Sequence, residues 1–525
     1  MRLILPLLVA ATLFVPQPRR AAVFQLEEAT ITGVHAAMKA GALTCVGLVG
    51  QYLDRIEAHD KRGAALNAIT VVNPEARKQA ATLDQRYKAS GPVGPLHCVP
   101  FIVKDNFETT GLQTAAGSLA LKDFDPGRDA FQVKRIKEAG AVIVAKSNMA
   151  EWAFSPYETV NSLLPGYTRN PYALDRVTAG SSGGTAAAVA ANFGLAGLGS
   201  DTGNSIRGPS SHQALVGIRS TMGLTSRGGV VPLSMLADIA GPMMRTVEDA
   251  VAVFAVIVGE DPNDPITLRT ALEPAGLRPS GHPEGAVDYR AALVHGGLKG
   301  ARIGVLRQAY ERDTTDAEVV TVFTAALEDL TKAGAIIVDP ARVEGLNDIR
   351  RSRDSGSCGG FKHDINRYLA SLGDRVPVKN LEEIIRTRRF HPSIESRLTG
   401  AQSGSEHGLE SPACKAEADY RERYRAAVAE TMKTHNLQAF VYPTWSNPPR
   451  LIGDLNTPHG DNSQVFSPTT GWPSIQVPMG YTREGKLPAG ITFFGRAWDE
   501  ATLITFAYDY EQMTKHRRPP QLQLR

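Results

Sequence analysis

The sequence predicts an α/β protein: a mixed, largely parallel sheet with helices covering both sides. Three observations carry this. Two wholly apolar runs, CVPFIV from Cys98 and AVIVA from Ala141, suit buried strands, and the helical stretch DAFQVKRIKEAG, closed by Gly140, lies between them. Parallel neighbours need such a helical crossover. The C-terminal third supplies short apolar strands at Ala439 to Tyr442, Ile475 to Val477 and Ile491 to Phe494, followed by a long helix from about Glu500 to Thr514. The chain has 525 residues, 42% hydrophobic and 21% charged, enough apolar material for one large core. A net charge of +3 gives no electrostatic case for nucleic acid or an acidic membrane surface.

Taken in order, the chain opens on Arg2 and an apolar run from Leu3 to Val15, of signal-peptide length and too short to span a bilayer. We read residues 1–22 as a signal peptide or N-terminal anchor and expect export to a periplasmic or secreted location; without a functioning signal the protein is cytoplasmic. Residues 23–525 form one domain, with a core over about 90–260, a variable helical segment over about 260–440 and a part over about 440–515 that completes the core. From Leu26 to His59 two helices are expected, the second through Leu48, Tyr52 and Ile56. Lys104 stands where the first buried strand meets a polar loop. Residues 161–178 read as a long loop leading into AGSSGG, after which TAAAVAANFG forms a helix whose N-terminus faces the Gly/Ser run, a natural oxyanion site. GLGSDTGNSIRG follows, then a polar, loop-heavy stretch to Gly241. Thr246 and Asp249 cap the next helix. Short strands near Arg302 to Leu306 and Ile336 to Val338, and an amphipathic helix around Arg421, complete the variable segment.

Four cysteines, none in a C-x-x-C pair, speak against zinc. In an exported protein the even count permits Cys45–Cys98 and Cys358–Cys414 disulfides; four buried thiols is the alternative. No His-Glu-x-x-His or Ser-x-x-Lys motif occurs. Gly180 to Gly184 matches G-x-S-x-G, but the preceding NPYALDRVT is no buried strand, which the nucleophile elbow requires. Asp201-Thr202-Gly203 could pair only with Asp354-Ser355-Gly356 as an aspartic-protease dyad, and the latter follows the charged RRSR.

What remains is a joint pattern: a Lys ending a buried strand, and two serines in Gly-rich runs. GSSGG at Gly180 to Gly184, GSDTGNSIRGP at Gly199 to Pro209 with Ser205 standing 24 positions after Ser181, VKDN around Lys104, LVGIRSTMGLTSRGGVVPLS to Ser234, GPMMRTVEDA from Gly241, and GWPSIQVPMGY near the C-terminus together resemble the amidase signature family. The resemblance implies that Ser205 is the nucleophile, Ser181 a bridging serine on a cis peptide bond and Lys104 the base. It implies an oxyanion hole of backbone N–H groups from Thr202, Gly203, Asn204 and Ser205, with Ser182 a hydrogen-bonding neighbour and Asp201 and Arg207 an ion pair holding the loop. Asn204 departs from the family, where a Gly is usual, and its side chain would narrow the site or add a donor. The chemistry agrees with these roles, because a lysine can accept a serine proton only when neutral, and burial favours that form.

The expected activity is hydrolysis of a small-molecule amide, extending to esters or carbamates, with no cofactor, no metal, no nucleic acid and no obligate partner; a homodimer is compatible with the sequence. The alternatives are the glutaminase subunit of an amidotransferase complex and a catalytically silent binding protein of the same fold. Residues 148–178 and 260–440 would line the acyl and amine pockets. Trp152, Tyr157 and Tyr167 are candidate aromatic walls, with core packing the commoner role for such residues.

Overall fold

The structure is a computed structural model that describes residues 24–155, 157–268, 287–353, 358, 360–404 and 411–522. The signal-like segment, residues 1–22, and Asp354-Ser355-Gly356 lie outside the described residues. The strands in chain order are β1 (Ile69–Val72), β2 (Pro100–Lys104), β3 (Val142–Ser147), β4 (Arg169–Asn170), β5 (Ala173–Val177), β6 (Ala196–Asp201), β7 (Val216–Arg219), β8 (Ile239–Met244), β9 (Arg302–Val305), β10 (Ile336–Val338), β11 (Ala439–Pro443), β12 (Ser474–Thr482) and β13 (Leu487–Phe494). All but β4 and β5, which form a separate ribbon, join one eleven-stranded sheet in the order β1-β3-β2-β6-β8-β7-β12-β13-β11-β9-β10.

The sheet is mixed, and its parallel character is concentrated in two triplets. β3, β2 and β6 run parallel, as do β11, β9 and β10, while the strands between them pair antiparallel. The physical reason is the connections. Helical crossovers join β2 to β3 and serve the parallel triplets, whereas β12 and β13 are joined by a short turn that only antiparallel strands can use. Residues 213–241, expected as loop, contain β7 and the start of β8. Each is only four to six residues long and interrupted by Gly or Pro, too short to show a period.

Helices α1 (Ile31–Lys39) and α2 (Cys45–His59) form as expected, each opened by a threonine, Thr30 and Thr44, whose hydroxyl accepts an N–H of the first turn. They are followed by α3 (Ala76–Ser90), α4 (Phe131–Glu138), α5 (Gly183–Ala190), α6 (Arg207–His212) and α7 (Val247–Ile257), the last capped by Thr246 accepting from Asp249 N. α5 packs on β2 and β6, and α6 on β7, β12 and β13, so the two Gly/Ser runs meet above one stretch of sheet. The segment between α7 and β11 is split. β9 and β10 extend the main sheet, whereas the helices Phe361–Ser371 and Leu381–Thr387 bury Phe361, Ile365, Leu369, Leu381 and Ile384 in a second apolar cluster with Trp152. Both disulfides are formed, Cys45 with Cys98 and Cys358 with Cys414.

Candidate active site

Lys104 ends β2 and is fully buried. Its Nζ lies 2.7 Å from Ser181 Oγ, 2.9 Å from Ser200 Oγ and 3.4 Å from the Ser200 carbonyl oxygen. Burial pulls the ammonium down to about 7, against the opposing fields of Asp201 and Asp238. A lysine at this value exists in both forms near neutral pH. Asn106 Nδ2 donates to Ser200 Oγ at 3.0 Å, so Ser200 holds the lysine from the side away from Ser181 and is itself held. The reading from sequence missed Ser200. It would have been found had GLGSD been recognised as the strand β6, which pairs parallel with β2 (Val103 opposite Leu198) and so brings its polar end beside Lys104.

Ser181 follows a cis Gly180–Ser181 peptide bond. Its carbonyl accepts from Ala150 N at 3.1 Å, tying it to the loop after β3. Ser182 stands at the start of α5 and donates from its Oγ to the Ser200 carbonyl at 3.1 Å, not to the helix. The glycines that follow are required by close approach: a Cβ at Gly183 would lie 2.1 Å from Thr159 Oγ1, and one at Gly184 2.2 Å from the Asn148 carbonyl oxygen.

The second run turns between β6 and α6 over Thr202, Gly203, Asn204 and Ser205. Its anchor is Asp201, fully buried with Arg207 Nε at 3.1 Å and Arg219 Nη1 at 2.9 Å. Burial by itself would raise this carboxyl, but the two guanidiniums overcome it and hold it at about 2. Asp201 Oδ2 also accepts the N–H groups of Ile206 (3.0 Å) and Arg207 (3.3 Å). Arg219, on β7, was not singled out from the sequence; it also donates to the Asp201 and Ala237 carbonyls. Arg207 Nη2 takes the Gly203 carbonyl at 2.7 Å, and Gly208 N takes the Asn204 carbonyl at 2.8 Å. In a trans peptide the N–H points opposite to the C=O, so these bonds turn the N–H groups of Asn204 and Ser205 away from α6. Among the described residues no protein acceptor meets the N–H of Thr202, Gly203, Asn204 or Ser205.

All four residues line a cavity of about 400 Å³ whose wall includes Phe154, Tyr157, Leu233 and Gln464. Ser205 opens onto it, while Lys104 and Ser181 are wholly buried. A larger cavity of about 550 Å³, between α2 and β1, holds none of these residues. Of the aromatic candidates, Tyr157 reaches the cavity; Trp152 is buried against Phe361, and Tyr167 pairs with Val160 away from it. The Asn204 side chain is buried against Gly208, whose Cβ would stand 2.3 Å from Asn204 Nδ2, and among the described residues neither its Oδ1 nor its Nδ2 meets a hydrogen-bond partner. Thr202 Oγ1 donates to Asp238 Oδ1 at 2.5 Å, closing the turn on the side of the loop before β8. Among the described residues no group of His, Cys, Asp and Glu is assembled as a metal site.

With this arrangement in place, comparison with known proteins is direct. The family model described as Amidase matches residues 47–504. A probable amidase of Arabidopsis thaliana is 34% identical over 96% of this chain and 93% of its own. The A subunit of the glutamyl-tRNA(Gln) amidotransferase of Alkaliphilus metalliredigens is 31% identical over 93% of this chain and 97% of its own. Among solved structures, the native peptide amidase from Stenotrophomonas maltophilia superposes with a TM-score of 0.83 at 34% identity, covering 94% of this chain and 99% of that one. The chain belongs to the amidase family.

Proposed function

We propose that the protein hydrolyses the carbon–nitrogen bond of small-molecule amides through an acyl-enzyme on Ser205, with Ser181 as proton shuttle and Lys104 as general base. The observation that carries this reading is the hydrogen bond between the fully buried Lys104 Nζ and Ser181 Oγ, in a setting that leaves the amine neutral for a large fraction of the time at neutral pH. As Ser205 Oγ bonds to the carbonyl carbon, its proton passes to Ser181, whose own proton passes to neutral Lys104. The oxyanion that forms meets the free N–H groups of the Thr202–Ser205 turn. Collapse breaks the C–N bond, and the proton returns from Lys104 through Ser181 to the leaving nitrogen. Water then attacks the acyl-enzyme, giving its proton to the same relay, and Ser205 leaves with a proton regained. Esters and carbamates present the same carbonyl and fall within the same chemistry.

Ser182 and Ser200 hold the relay, while Asp201, Arg207 and Arg219 hold the turn. No cofactor or metal has a step in this scheme. The resemblance to the A subunits of amidotransferases supports a second reading, a glutaminase working with partners; turnover of a simple amide by the isolated chain separates the two. Export, proposed from the N-terminal segment, is supported by the two disulfides, which suit an oxidising compartment. The site itself is tested by a fluorophosphonate probe. The folded protein is expected to be labelled and Ser205→Ala not; equal labelling of both would refute the assignment.

A further inference from the structure

Gln464 stands over the turn that carries Ser205. A Cβ at Gly203 would lie 3.2 Å from Gln464 Cγ and 3.5 Å from both its Cδ and its Oε1, so the side chain crosses the turn in close contact with the glycine. The side chain lines the same cavity as Ser205 and is exposed to it. Its orientation is set by Asp461, which is 8% exposed and accepts from Gln464 Nε2 at 2.7 Å through Oδ2 and from Ser463 N at 2.9 Å through Oδ1. With both oxygens accepting, Asp461 acts as a carboxylate, and an acceptor-only partner requires the nitrogen end of the amide to face it. Burial raises this carboxyl to about 6, which still leaves it ionised at neutral pH. The Tyr157 phenol is a second hydrogen-bonding neighbour of the Gln464 side chain.

With Nε2 turned to Asp461, the glutamine is left with Oε1 as the acceptor at the other end of its amide. We propose that Gln464 Oε1 accepts the N–H of the scissile amide, so that the site favours primary and secondary amides over esters and tertiary amides of the same acyl group. Resting on the amide-hydrolase reading, this adds to it the class of nitrogen the site selects. Asp461 is then a positioning residue, since it turns the glutamine without touching substrate.

The test uses three substrates with one acyl group: an anilide, its N-methylanilide and the phenyl ester. Only the first carries the N–H. Comparing Gln464→Met with the unaltered protein cancels the intrinsic reactivities. The expected result is a loss of about 3- to 10-fold in kcat/KM for the anilide relative to both others, the size of one hydrogen bond to a neutral group. Asp461→Asn, which frees the glutamine to turn over, should move the anilide in the same direction by a smaller factor. Equal changes for all three substrates, or no change, would overturn the proposal, because a glutamine that merely shapes the cavity cannot tell the anilide from its N-methyl form. Failure of the underlying reading looks different: all three substrates would still be hydrolysed by Ser205→Ala.

Discussion

At the scale of a residue, the proposed chemistry turns on the protonation of Lys104. Its folded value of about 7 lies below the ordinary 10.5 because burial disfavours the charged form. The base is therefore competent above about pH 7 and progressively blocked below it. The expected pH profile of kcat/KM for an amide rises through about 7 to a plateau; a profile flat from pH 6 to 9 would contradict the lysine's role. The same shift costs stability. Between about pH 7 and 10.5 the unfolded chain binds a proton at this position that the folded chain does not, so stability from this group rises with pH across that window. Lys104→Met, which keeps the length and removes the titration, is expected to abolish amide hydrolysis and to raise the unfolding free energy at pH 7 by on the order of a few kcal/mol, read as a higher urea midpoint. An inactive variant that is also less stable would place the buried amine among the structural contacts.

At the scale of an element, the loop between β6 and α6 owes its form to one buried carboxylate shared by two arginines. Asp201→Asn keeps the shape and removes the charge, leaving Arg207 and Arg219 without their counter-ion. A cost of about 3–5 kcal/mol in urea unfolding is expected, together with loss of fluorophosphonate labelling at Ser205. Because the carboxyl is held at about 2, its contribution is present above about pH 4 and is lost as pH falls through about 2. Labelling at the normal rate in a correctly folded Asp201→Asn protein would show that the ion cluster does not set the turn. This is also the element least legible in the sequence. Asp201 and Arg207 could be paired from the resemblance, but Arg219 comes from β7 and Ser200 from β6, strands whose Gly-rich, polar sequences carry no alternation. Strands like β2 and β3, apolar throughout because both faces are covered, announced themselves.

At the scale of the whole molecule, the sheet brings Lys104 and Ser181 into hydrogen-bond contact and sets the turn that carries Ser205 at the end of β6. β2 and β6 are neighbours, α5 lies on both, and α6 carries the end of the second turn. Local pattern yielded α1, α2, α4, α5 and α7, the strands β2, β3, β9, β10, β11, β12 and β13, and the C-terminal helix Glu500–Thr514, but not α3 or the edge strand β1. It could not yield the antiparallel centre of the sheet, which depends on pairings between residues far apart in sequence, nor the cavity wall, which Gln464 joins from the loop before β12. The joint spacing of Lys104, Ser181 and Ser205 is what points to the proposed site, where each alone would not.

The central claim, that Ser205 carries the acyl group of an amide substrate, is tested most directly by acid-quenching the protein during turnover of an anilide and mapping the adduct by peptide mass spectrometry. The acyl mass is expected on the peptide containing Ser205 and is expected to be absent from Ser205→Ala. Turnover continuing in Ser205→Ala, with no acyl adduct on the unaltered protein, would contradict it.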